Sequence, residues 1–261
     1  MHPLVARLDR WLVANRPAYH AGLMPGASAA DIDDVVRRVG DRLPPLLRDL
    51  LTWRNGQSED YFGSLEFYWS LMSAGDIAST MDEMARIAAT EGLDELEWST
   101  AWVPFLQNSF GDYLCIDLQG AFGGEPGQLI KYGHDDEFRN IVWPSLEAWL
   151  ETLVAAFEAG MFESENEARD GRFDPTDWGA YEAFVVERLP GYPIEVCLSD
   201  SRHDSPPDRG KETDGKELVH AVDPDRLRAA LRHTGLSNDV VDGAFARLTE
   251  IRAHREATGE E

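Results

Sequence analysis

Apolar positions near the start of the chain recur at helical spacing: Leu4, Leu8, Trp11 and Leu12 share one face, and Pro17 ends the run. After a link rich in Gly and Pro, the stretch "SAADIDDVVRRVG" offers Ser28 as an N-cap with Asp31 three residues on, then a stripe of Ile32, Val35, Val36 and Val39, then Gly40 as the stop. "LPPLLRDLLTWRNG" follows at once. It places prolines where a first helical turn tolerates them, sets Leu46, Leu47, Leu50, Leu51 and Trp53 on one face, and stops at Asn55-Gly56. A further helical stretch, "GDIASTMDEMARIAA", carries Ile77, Met81, Met84 and Ala88 at the same period, where methionine reads as core rather than as a metal ligand.

Elsewhere the period falls to two. "YFGSLEFYWSL", from Tyr61 to Leu71, is aromatic and bounded by turn residues, which predicts one or two short strands. In "WVPFLQNSFGDYLCIDLQ" a strand enters the turn-forming residues NSFGD and leaves as a clean alternation. Leu114, Ile116 and Leu118 take one face; Tyr113, Cys115 and Asp117 take the other. Ser109, Asp112, Cys115 and Asp117 bring nucleophiles close to carboxylates, but hairpin geometry accounts for them without chemistry. Cys115 and Asp117 stand roughly 7 Å apart at strand spacing, no histidine lies nearby in sequence to activate the thiol, and a lone Cys behaves as a small buried hydrophobe.

Strands over 128–132 and 139–143 flank "GHDDE". The His134-Asp135-Asp136-Glu137 run suits a turn better than a metal site, since adjacent turn residues point apart and metal ligands must converge from several elements. A helix then starts at Ser145, buries Leu146, Trp149, Leu150, Leu153 and Phe157, and ends at Gly160. Beyond it, "DPTDWGAYEAFVVERL" predicts a helix and "YPIEVCL" a strand. A polar loop over 199–216 holds His203, and two last helices open at Asp223-Pro224 and Ser237.

Charge narrows the function. Of 261 residues, 24 are Lys or Arg and 48 are Asp or Glu, a formal charge of -24. A field of that sign repels nucleic acid and anionic membranes, and it either favours a basic protein partner or serves solubility alone. Acidity is densest from Asp49 to Asp117, where 13 carboxylates face Arg54 and Arg86 alone. Cys115 and Cys197 are too few for a disulfide framework and have no zinc or redox spacing. With no apolar targeting segment, the sequence reads as a cytoplasmic protein without cofactor or metal. No oxyanion-type glycine loop lies near His134 or His203, so no catalytic residues are assigned.

Three patterns together carry a family resemblance. They are a Leu-Pro helix ending in Trp-x-Asn-Gly (Leu43, Pro44, Trp53, Asn55, Gly56), the Gly-Asp-Tyr-Leu-x-x-Asp strand (Gly111 to Asp117) and the Pro-Ser-Leu-x-x-Trp-Leu helix start (Pro144 to Leu150). In this order they resemble the Smi/Knr branch of the SUKH superfamily over residues 1–161. The resemblance implies an α+β domain with a curved, mainly antiparallel sheet packed by helices; residues 162–261 lie outside it and read from their own pattern as an acidic, mixed but mainly helical extension of no assigned family. The resemblance also implies no enzymatic activity. Bacterial members are typically immunity proteins that neutralise a toxin domain, often a nuclease, and fungal members are regulators of cell-wall assembly. The chain is thus expected to bind a basic protein, either as an immunity protein or as a regulatory scaffold. Glu59, Asp60 and Asp112 are its candidate docking face, with Trp53, Leu114, Ile116, Trp149 and Leu153 in the core.

Overall fold

The computed structural model describes residues 1–201 except 59, 60, 62, 109, 167, 169 and 170. All of these lie within the first of the two units into which the chain divides, Met1–Arg209. Helix α1 (Pro3–Asn15) does not end the local structure at Pro17. Arg16 breaks it, and Pro17 opens a second short helix, α2 (Pro17–Gly22). Pro17 disfavours helical dihedrals at Arg16, whose side chain is buried there with its guanidinium over the rings of Phe173 (3.6 Å) and Tyr19 (4.3 Å) while donating to the Leu65 carbonyl. Strand β1 (Leu23–Pro25) leads to α3 (Ala29–Val39), whose Ser28–Asp31 capping box forms as the sequence predicts. Helix α4 (Pro45–Trp53) passes directly into β2 (Arg54–Gln57), which pairs with β1. This ribbon is too short and too polar to leave a period-two apolar signal.

The Trp-x-Asn-Gly motif earns its residues in three contacts. Trp53 donates its indole N–H to Asp9 (2.7 Å), and Asn55 accepts the Ala74 N–H (2.8 Å) at the start of the next long helix. Gly56 sits at φ +80° where a Cβ would come within 2.5 Å of the Ser73 nitrogen, so both its conformation and its space require glycine. Within 61–71 the expected strand reduces to β3 (Ser70–Leu71), with isolated bridges Glu66–Trp69 and Phe67–Phe173. Helix α5 (Ala74–Glu91) carries a second capping box, Ser73 with Asp76, and stops at Gly92 in the left-handed region.

The main sheet adds β4 (Trp102–Gln107), β5 (Tyr113–Asp117), β6 (Leu129–Tyr132) and β7 (Ile141–Trp143) to β3 as an antiparallel meander in sequence order. The register slips between Pro104 and Leu106. This bulge turns both Phe105 and Leu106 toward the same core and gives Pro104 a place where a strand tolerates a residue without an N–H. On the front face, Val103, Leu114, Ile116 and Leu129 pack with α1, α3, α4 and α6 (Leu146–Glu158). Trp53, Trp149 and Leu153 join them there, as the apolar pattern predicts. On the back face, Trp102, Cys115, Ile130, Tyr132 and Ile141 form a separate cluster with Trp98, Met84 and Val196. Helix α5 serves both, with Ile77 and Met81 in the front cluster and Met84 in the back one.

Trp149, from the Pro-Ser-Leu-x-x-Trp-Leu motif, is fully buried edge-on to Phe105 and donates to Glu66 Oε1 at 2.6 Å. Burial pushes the Glu66 carboxyl up to about 7, against the pull of that hydrogen bond. Packing continues across residue 161: Phe162, Phe173 and Tyr181 of the following segment are buried in the front cluster beside Phe157. Helix α7 (Trp178–Arg188) forms with Asp177 as its N-cap, and α8 (Leu198–Ser201) is a single turn. "YPIEVCL" makes isolated bridges, Ile194 to Ile141 and Cys197 to Phe138, instead of a full strand. The helices expected from Asp223 and Ser237 lie outside the described residues, as does His203.

Candidate functional site

Ser109, Glu59 and Asp60 also lie outside the described residues, so the structure places Asp112 alone of the three docking candidates. It stands at the β4–β5 turn with its carboxylate engaged within the protein. Asn108 donates to Oδ2 (2.8 Å), and the His134 backbone N–H (3.2 Å) and Nδ1 (3.0 Å) both face Oδ1. Asn108 Oδ1 in turn accepts from the N–H groups of Phe110 and Asp112. Partial burial raises the Asp112 pKa, but the bonds from His134 and Asn108 outweigh it and hold the carboxyl below its ordinary value. The same contact holds His134 above its own, helped by Asp135, which lies 2.9 Å from Nε2. Asp112 therefore latches the hairpin tip, and the latch presents Phe110 to solvent at 65% exposure.

Cys115 and Asp117 likewise have structural surroundings. Cys115 is fully buried in the back cluster, which pushes its thiol pKa well up and keeps it protonated. Asp117 is buried on the same face and organises the turn after β5, accepting from the N–H groups of Gln119 (3.0 Å) and Ala121 (2.5 Å) and from the Gln128 amide (2.9 Å). Among the described residues no group of three or more His, Cys, Asp or Glu side chains could hold a metal ion. His134 has one carboxylate on each ring nitrogen, an arrangement that suits an imidazolium.

Beside this latch the back face opens into a cleft of about 540 Å³. Met84, Ile87 and Leu93 line its wall along the end of α5, and Tyr113 and Tyr132, paired across β5 and β6, lie stacked 6.0 Å apart toward the sheet. Carboxylates border it: Glu91, Glu97, Asp135, Asp136 and Glu137. Two basic groups stand against these five. His134 is held as above, and Arg139 is 4% exposed beneath the cleft, with its guanidinium over Tyr132 (4.5 Å). Arg139 donates to the backbone carbonyls of Glu97, Gly133, Asp136 and Phe138, and burial lowers its pKa. An apolar and aromatic floor inside an acidic border can take a basic, partly apolar segment of another protein. Sequence reading found the "GHDDE" turn and the face shared by Tyr113 and Cys115. It missed that α5, Leu93 and Tyr132 enclose the same space, because no local period records which strands become neighbours.

Comparison with known proteins agrees with the fold. Residues 26–152 match the SMI1/KNR4 family (SUKH-1). A protein from Debaryomyces hansenii named KNR4/SMI1 homolog 2 is 31% identical over 72 residues, which cover 28% of this chain and 12% of that protein. The cell wall biosynthesis/cell cycle regulator smi1 of Schizosaccharomyces pombe is 23% identical over 190 residues, covering 62% of this chain and 38% of that protein. The chain thus spans well under half the length of these relatives. No helix among the described residues is long and apolar enough to cross a membrane. The matched segment, just under half of the chain, holds all three sequence motifs, the sheet and α6 up to Thr152, and over it the chain is similar to the SMI1/KNR4 (SUKH-1) family.

Proposed function

We propose that this chain is a non-catalytic binding module that holds a basic protein partner, and that it acts as an immunity-type protein by covering a basic toxin domain. The observation that carries this reading is the back-face cleft, where five carboxylates border an apolar and aromatic floor in a chain of net charge -24. Long-range attraction speeds encounter, and burial of apolar surface in the cleft supplies holding energy. The charge also disfavours nucleic acid and anionic membrane as direct ligands. A second reading, a regulatory scaffold of the cell-wall assembly type, is favoured by the similarity to the Schizosaccharomyces pombe cell wall biosynthesis/cell cycle regulator.

The test compares affinity capture in the source cells by the native chain and by a variant with Glu91, Asp135 and Glu137 changed to Lys. A basic protein held by the first and lost by the second supports the module. Equal capture by both overturns the cleft as the binding face. Expression of the captured protein alone then separates the roles: growth arrest relieved by co-expression of this chain supports immunity, and unimpaired growth supports the regulatory reading.

A further inference from the structure

The outer edge of the sheet, at β7 and the residues before it, carries one more extended segment. Residues 194–198 run antiparallel to 137–141 in a single register, with Ile194 opposite Ile141 and Cys197 opposite Phe138. Ile141 and Ile194 exchange both backbone bonds (3.0 and 2.9 Å), the Arg139 N–H reaches the Val196 carbonyl (2.8 Å), and the Leu198 N–H reaches the Glu137 carbonyl (2.9 Å). A regular ladder would return the Val196 N–H to the carbonyl of Arg139. Here the Asn140 side chain accepts it through Oδ1 at 3.1 Å, while the Asn140 carbonyl accepts from Lys131 on β6 (3.0 Å). Asn140 thus equips the edge to hold an added strand. The side chains follow the same period: Val196 is buried in the back cluster, Ile194 packs at its border, Leu198 is buried at the end of the cleft, and Glu195 is exposed.

Two observations set this strand apart from the rest of the sheet. It comes from beyond the segment that matches the family, which stops at residue 152. It also joins α7 through a connection in which Arg188, Pro190, Gly191 and Pro193 are exposed, so it can leave the edge without disturbing that helix. An open strand edge is a template for pairing, and proteins use such edges to take up extended segments of others. We propose that the edge at residues 137–141 is a strand-addition site for an extended segment of a partner protein with aliphatic residues at alternate positions, and that residues 194–198 are its tethered, displaceable occupant. The partner's middle residue takes the place of Val196 in the back cluster and gives its N–H to Asn140. Proline is excluded at the places of Ile194, Val196 and Leu198, whose N–H groups are bonded. Backbone pairing and apolar burial hold the segment, so the site is independent of the chain's net charge and of the reading of the cleft.

The full chain, labelled for NMR, is tested in two steps. In the first, the amides of Ile194, Val196 and Leu198 should exchange at least about a hundredfold faster than those of Leu114 and Ile116 in the central β5, through local opening. Equal protection would make 194–198 an integral strand and overturn the proposal. In the second, the chain is titrated with the capped peptide acetyl-Ile-Glu-Val-Ser-Leu-amide, which repeats 194–198 with serine for cysteine and carries a carboxylate and no cation, so net charge does not attract it. Saturable shifts at 137–141 are expected, with at least about tenfold tighter binding once Val196→Asp has freed the edge. Val196→Ala, a milder change that keeps the comparison open if the first variant does not fold, should tighten binding less, and adding Asn140→Ala to it should weaken binding again. No binding to a folded Val196→Ala chain, shifts elsewhere, or equal binding of a peptide with aspartate at its middle position overturns the site. A native dimer that is lost in Val196→Ala would put a second copy's strand on the edge and overturn the reading of a foreign partner.

Discussion

The two faces of the sheet are built to different ends. The front face is sealed by helices, and its side chains brace one another: Trp149 fills space against Phe105 and donates to one oxygen of Glu66, while Asn55 and Gly56 seat α5. The back face has a smaller cluster around Trp98, Trp102 and Cys115, and beyond it lies the cleft, where apolar side chains and like charges meet without closing over. The contrast separates what the domain needs to fold from what it can offer to a partner. Most of the family motif residues serve the first purpose, and even Asp112 acts by bracing the hairpin tip.

The largest expected effect tests the sealed face. Trp149→Ala should cost about 3 to 5 kcal/mol in denaturant unfolding, because it opens a cavity and strips Glu66 of its donor. A loss under about 1 kcal/mol would mean that the front core is not packed as described. Glu66 gives the same face a pH signature. Its folded pKa of about 7 lies above the usual carboxyl value, so the folded state holds the proton more tightly. This contribution is therefore complete below pH ~4.5 and is lost as pH rises through about 7, to the extent of about 3 kcal/mol. Glu66→Gln should remove that slope from a series of unfolding curves, and an unchanged slope would place the titration elsewhere. Gly56→Ala, forced into φ +80° against Ser73, should cost about 1 to 3 kcal/mol by the same measurement.

Smaller effects belong to the back. The raised pKa of His134 means that its bonds stabilise the tip at low pH and are lost as pH rises through that value, whereas the depressed Asp112 loses its contribution as pH falls. Amide exchange at Phe110 should then be slowest, relative to an unstructured reference, between the two. Asp112→Ala should bring the His134 titration, followed by NMR, back down. A His134 titration indifferent to Asp112 would dissolve the latch.

How much of this was legible in the sequence follows the same division. Helix stripes, capping residues and the β4–β5 alternation are local, so α3, α4, α6 and the core role of Trp149 could be read directly. The β1–β2 ribbon, the burial of Arg16 and the packing of Phe173 and Tyr181 depend on distant partners and left no period. The cleft was hidden for that reason too. Glu91, Leu93, Tyr113, Tyr132 and Asp135 come from α5, two strands and two loops, and only the meander brings them together. The acidic stretch from Asp49 to Asp117 was visible as composition, yet composition could not say which carboxylates border an apolar floor.

The most direct test of the central claim compares the two faces in one experiment. Association rates of the captured basic partner are measured at low and high salt for three forms. These are the native chain, the cleft reversal Glu91→Lys/Asp135→Lys/Glu137→Lys, and a helix-side reversal of three exposed carboxylates, Asp33→Lys/Glu147→Lys/Glu151→Lys. All three have their charge screened as salt rises. The cleft reversal should slow association by at least about tenfold at low salt and also speed dissociation, while the helix-side reversal, with the same net charge, should change dissociation little. Equal effects of the two reversals on both rates would show that net charge alone attracts the partner and that the back-face cleft is not where it binds.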